Sequence, residues 1–198
     1  MTESRALNKG ERSIVIEAPC DVVYNYLCDF PRHAEWNYQP TEITKVSDGP
    51  VDVGTVFRAK ERPPGKAPWI IRNVMLPVMM RLLGWKGYTE AEITALEPGR
   101  RLAWEAALPL NGGDYFMKAD WEILLEPQNG ATRVRQRYHY KPQHDLAKSG
   151  ESERTAKSTT EEVDANLARL KEILEGRAAG KWRTAPQKSP TSSRSTPA

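Results

Sequence analysis

The chain has 198 residues, 39% of them hydrophobic and 28% charged, with a formal net charge of +3. That length suits one domain with a real core plus extensions. Five of the 29 basic residues (Arg177, Lys181, Arg183, Lys188 and Arg194) lie beyond Gly176 with no acid among them, leaving 24 bases against 26 acids elsewhere, so the folded part offers no electrostatic case for a nucleic-acid partner.

Residues 1–12 read as a flexible N-terminus without the apolar h-region of a secretory signal. Ile14, Val15 and Ile16 are β-branched and suit a half-buried strand. Pro19 fits the first position of a helix, with Asp21 in its first turn and Val22, Val23, Tyr26 and Leu27 as its apolar face. Asp29, before Phe30-Pro31, is expected to cap a second short helix that ends on Trp36. Cys20 and Cys28 lie about two helical turns apart, ~12 Å, too far for a disulfide. They are expected as reduced thiols, which with the missing signal places the chain in the cytoplasm.

Strands are expected at 41–46 and 54–61, with Thr55, Phe57 and Ala59 on one face. Residues 63–87 then form an apolar insertion. Its Trp69–Trp85 core is rich in methionine, carries only Arg72 and Arg81 as charges, and holds a Pro77 that would kink or divide a helix. Three readings stand open for it: a lid over a cavity, a peripheral membrane contact, or a contact between two subunits. No apolar run reaches the ~20 residues needed to span a membrane. Further strands follow at 88–96, 101–108, 114–126 and 132–141, joined by connections short enough to make them mostly antiparallel. A helix from near Ser152 to Glu175 carries Val163, Leu167, Leu170 and Leu174 as one stripe, with Gly176 ending it. Residues 177–198, rich in Ser, Thr, Pro and basic residues, read as a disordered tail.

Ala18-Pro19 with Val22-Val23, Asp29 with Trp36, Glu97-Pro98-Gly99-Arg100-Arg101-Leu102 and Trp121 resemble the START-like superfamily of polyketide cyclases/dehydrases and lipid-transfer proteins, known as SRPBCC, over residues 12–176. The resemblance implies an α+β helix-grip fold at 13–176, a curved antiparallel sheet of about seven strands around the long C-terminal helix. It also implies a cavity between them, with Trp36 closing one mouth.

Alternation along the strands sorts the side chains. Tyr115, Met117, Ala119, Trp121, Ile123 and Leu125 share an inner face, as do Leu102, Trp104 and Ala106, and Val134, Gln136, Tyr138 and Tyr140. Arg133, Arg135 and Arg137 form the opposite, solvated row, expected to pair with Asp120 and Glu122. The expected ligand-binding set is therefore Trp36, Phe57, Trp104, Tyr115, Met117, Trp121, Gln136, Tyr138 and Tyr140, an apolar and aromatic lining with a few hydrogen-bonding tips. His33 and Asn166 are expected at the surface. No catalytic residue is assigned, because no acid or base is inward unless Glu90 or Glu92 turns in. No metal or nucleotide motif is present, so neither a metal nor a cofactor is expected.

The expected function is binding of a hydrophobic small molecule (a lipid, a quinone or a polyketide-like compound) as carrier or sensor. The alternative is a metal-free cyclase or dehydratase working in the same cavity, and a homodimer remains open.

Overall fold

The computed structural model describes residues 8–62, 74–149 and 153–179. Among them, strands β1 (Lys9–Ile16), β2 (Pro40–Lys45), β3 (Val56–Glu61), β4 (Thr89–Glu97), β5 (Arg101–Pro109), β6 (Tyr115–Gln128) and β7 (Ala131–Pro142) form one sheet. Its order is β1-β7-β6-β5-β4-β3-β2, with every neighbouring pair antiparallel. Helices α1 (Cys20–Cys28) and α2 (His33–Trp36) carry the chain from one edge, β1, to the other, β2. The short helices α3 (Leu76–Leu82) and α4 (Asp145–Ser149) precede β4 and α5 (Glu153–Ala179). The α5 stripe of Val163, Leu167, Leu170 and Leu174 is buried in one core with Ile16, Val23, Leu27, Ile123 and Val134. This is the expected α+β helix-grip arrangement.

Three boundaries differ from the sequence reading. Residues 9–12 are not a flexible arm: β1 begins at Lys9, and its backbone pairs with β7 from His139 to Gln136. Pro19 is the N-cap of α1 rather than its first residue, and Asp29 makes no side-chain capping bond. Gly176 does not end α5, which continues to Ala179; of the expected tail, residues 180–198 lie outside the described residues. Pro77 sits in the first turn of α3, directly after residues 74–75, which are π-helical, so it marks a change of helix type, as expected of a proline that divides a helix. The first part of the apolar insertion, 63–73, lies outside the described residues.

Register aligns the inner face into cross-strand rows. Leu96, Leu102, Ile123 and Gln136 form one row, and Ile93, Trp104, Trp121, Tyr138 and Gly10 the next. The third contains Phe57, Ala91, Ala106, Ala119 and Tyr140. The large side chains of the first row close the core with the α5 leucines, and in the second row Ile93 and Tyr138 are buried while the rings of Trp104 and Trp121 border a hollow. The third has three adjacent methyl groups where side chains of leucine size would be needed to reach α5. A hollow is the direct consequence, because a protein interior closes only where side-chain volume is supplied.

Gly10 belongs to the second row for a steric reason. A Cβ there would lie 2.5 Å from the Tyr138 hydroxyl, and that ring is held by a 3.0 Å hydrogen bond between its hydroxyl and Thr160 Oγ1. Gly10→Ala is expected to destabilise the fold by about 1–3 kcal/mol through overpacking. Urea unfolding would measure this, and an unchanged midpoint would mean the tyrosine yields without cost.

Candidate ligand-binding cavity

The cavity has a volume of about 820 Å³ and lies under the alanine row. Its floor is Ala91, Ala106, Ala119, Trp104 and Trp121, with Met117 and Tyr140 towards one end. Ser158, Thr159, Glu162, Val163 and Asn166 of α5 form the opposite wall, while Pro77, Met79 and Met80 of α3 border it. Trp104 and Trp121 stack with centroids 6.2 Å apart, and Tyr140 meets Trp121 edge-on at 5.7 Å.

Four of the nine residues expected to bind ligand line this cavity: Trp104, Met117, Trp121 and Tyr140. The other five lie elsewhere. Trp36 is wholly buried in the core and closes no mouth. Phe57 is buried by stacking on Phe30 at 4.7 Å, and it is Phe30 that faces the cavity. Gln136, 1% exposed, lies in the filled row with Oε1 unpaired, and Tyr138 is turned to Thr160. Tyr115 is half-buried beneath the Lys118 ammonium, 4.5 Å from its ring centre. The strand parity placing these side chains inward is correct for β6 and β7, but parity does not distinguish the side chains that fill space from those that border the cavity.

Several polar residues expected outside are inside. His33 is 3% exposed, stacks on Phe30 at 4.6 Å and lines the cavity. Its Nε2 lies 2.7 Å from the Leu27 carbonyl, which can only accept, so the ring is the Nε2–H tautomer and Nδ1 is left as an acceptor. Burial pushes its pKa down to about 4 against the smaller opposing effect of that bond. Spacing carried the signal, since Phe30, His33 and Trp36 recur every three residues on one face. Asn166 is also buried. Its Oδ1 accepts from the Tyr38 backbone N–H at 3.0 Å, and its Nδ2 donates to Asn37 Oδ1 at 3.2 Å, tying the α2–β2 connection to α5.

Two carboxyl groups also face the cavity, Glu61 at the end of β3 and Glu162 on α5. Burial raises the Glu61 pKa; the Thr89 hydroxyl pulls it back and the Glu162 charge pushes it up again. Glu162 is raised by burial against an opposing pull from Gln39. The Tyr140 phenol is raised by burial and then by both carboxylates, so the three groups share one electrostatic neighbourhood. Glu61 was legible by alternation, as the next inner residue after Phe57 and Ala59. Glu90 does not turn inward: it accepts from Arg58 at 3.0 Å on the outer face. The outer Arg row is paired as well, Arg135 with Glu126 at 2.6 Å and Arg137 with Glu122 at 3.3 Å, while Asp120 binds Lys141.

The sequence profile of a family described as "Polyketide cyclase / dehydrase and lipid transport" matches residues 9–175. The chain belongs to that family. Among solved structures, a START superfamily protein from Mycobacterium smegmatis superposes with a TM-score of 0.60 at 10% identity, covering 85% of this chain and 98% of that one. The di-domain ARO/CYC protein StfQ of the steffimycin biosynthetic pathway gives 0.58 at 14%, covering 87% and 52%. DynU16, from the dynemicin biosynthetic locus, gives 0.53 at 15%, covering 85% and 47%, so the chain spans about half the length of each of these last two. At such identities the likeness is one of fold. No curated protein matches the chain in sequence. No described helix of this family member is long and apolar enough to cross a membrane.

The buried titratable groups give its stability a pH dependence of definite sign. Unfolded histidine titrates near 6.5 and folded His33 near 4, so the His33 contribution is whole above the first value and is lost as pH falls towards the second. Glu61 and Glu162, raised in the folded state, act oppositely: their contribution is present in acid and lost as pH rises through their raised pKa values. His33→Gln is therefore expected to flatten the stability loss between about pH 6.5 and 4, whatever it does to stability at neutral pH. Glu162→Gln is expected to exceed the parent protein in stability at neutral pH, with the difference vanishing in acid. Denaturant titrations across pH check both, and parallel curves for parent and variants would contradict the assignment.

Proposed function

We propose that this protein binds a hydrophobic small molecule in the cavity between the sheet and α5, as carrier or sensor. The observation carrying this reading is the alanine row: three in-register small residues hold open about 820 Å³ of space floored by paired tryptophans. That volume lies within the range of small-molecule sites. The family's description, which includes lipid transport, supports the same reading.

In this reading α3 is the lid. Pro77, Met79 and Met80 border the cavity, while Met75, Val78 and Leu82 are exposed, Leu82 at 83%. Those outward residues are what a membrane surface or a second subunit would touch while ligand passes. An enzyme of cyclase or dehydratase type remains the second reading. It is favoured by titratable groups facing the cavity, among them His33, Glu61 and Glu162, which are equipped to move protons.

Ala106→Phe and Ala119→Leu place volume where the cavity is empty. Each is expected to abolish binding of apolar probes, read as lost Trp fluorescence change, while leaving the circular dichroism spectrum intact. Native mass spectrometry of the protein as purified should show an apolar ligand in the parent and none in the filled variants. Unaltered probe binding in both variants would remove the cavity as the site. Turnover of a poly-β-ketone substrate, lost in Glu162→Gln, would instead establish the enzyme.

A further inference from the structure

The polar end of the cavity has a composition that the binding of a purely apolar molecule does not use. Glu61 and Glu162 approach it from opposite walls, a strand and α5, with Tyr140 between them electrostatically. Thr89, 3% exposed, lies on the same wall as Glu61, since its strand neighbour Ala59 is two residues before Glu61 on the same face. Its hydroxyl favours the ionised form of Glu61 by pointing its donor there, and has no other partner among the described residues. The acceptor side of that buried hydroxyl oxygen is left unused, a costly arrangement unless something else supplies a donor.

No cation among the described residues serves this end. Arg62 borders the cavity, but its guanidinium donates to the Tyr38 carbonyl at 2.5 Å and lies over the Tyr38 ring. Lys118 is held by Glu105 at 2.8 Å. Gln39, the remaining polar neighbour of Glu162, is uncharged. The Glu162 charge pushes the Glu61 pKa up, so the two carboxylates resist being ionised together in this hollow.

We propose that Glu61, Glu162 and Thr89 form a recognition site for a protonated amine, so that the ligand is an amphiphilic amine with its hydrocarbon part over Trp104 and Trp121. The inference rests on the cavity being a ligand site. An ammonium group has three donors and no acceptor, matching two carboxylates and one hydroxyl oxygen. It offsets the repulsion between the two carboxylates, and the aromatic rings of Tyr140 and Trp121 line the same cavity. An alcohol has one donor for the same three acceptors, and a fatty acid brings a repelling charge.

The experiment compares decylamine, decanol and decanoate by calorimetric titration at neutral pH, below micelle formation. Decylamine is expected to bind at least about tenfold more tightly than decanol, and decanoate most weakly. In the Glu61→Gln/Glu162→Gln double variant the preference for amine over alcohol is expected to disappear, whereas Glu90→Gln, on the outer face beside Arg58, keeps it. In the parent protein the same preference should fade as pH falls from neutral through the carboxylate range, which tests the site without any substitution. Decanol or decanoate binding as tightly as the amine, or a preference surviving both the double variant and acid, overturns the amine site while leaving the cavity reading intact. If none of the three binds, the cavity reading falls with it.

Discussion

Everything distinctive about this molecule depends on cross-strand register. Antiparallel pairing from β3 to β7 brings Ala91, Ala106 and Ala119 side by side, each from a different strand of one meander. One row away, the same pairing aligns Ile93, Trp104, Trp121 and Tyr138. A single sheet thus meets a single helix with large side chains at one end and the three alanines at the other, the two tryptophans lying between. A shift of one residue in any of these pairings would send the alanines to the outer face and the charged residues inward.

α5 fits this division. Leu167, Leu170 and Leu174 lie over the filled end, whereas Ser158, Thr159 and Glu162, earlier in the helix, lie over the hollow. The helix changes from apolar to polar along its length at the level where the sheet changes from large to small. Asn166 stands at that boundary and bonds to the α2–β2 connection, so the cavity's end wall is tied to the helix that covers it. His33 marks the same level from the other side, neutral and wedged between Phe30 and Trp104. His33, Thr89 and Asn166 are thus gathered where packing is incomplete, whereas the buried Gln136 and Thr132 lie away from the cavity.

The outer face behaves differently. Its Arg, Lys, Glu and Asp residues neutralise one another along and across strands, as in Arg101 with Glu122 at 2.6 Å and Lys118 with Glu105 at 2.8 Å. Such exposed pairs contribute little individually. They leave the sheet's back a mixed, balanced surface, in contrast with the apolar side chains that α3 presents to solvent.

The sequence by itself determined the element order, the strand parity, the apolar stripe of α5 and the family resemblance, because these are local periodicities of two and 3.6 or short motifs readable in one window. Parity correctly placed Trp104, Met117, Trp121 and Tyr140 inward, and extended by one step it reaches Glu61. What only the tertiary structure decided is which inward residues fill space and which border it. Gln136 and Trp121 share a parity, yet one is sealed in a filled row and the other floors the cavity. Strand register and the placement of α5 set that distinction, and both are relations between segments remote in sequence. The same holds for Glu61, Glu162 and Thr89, unremarkable apart and brought together only when a strand edge, its neighbour and the final helix converge.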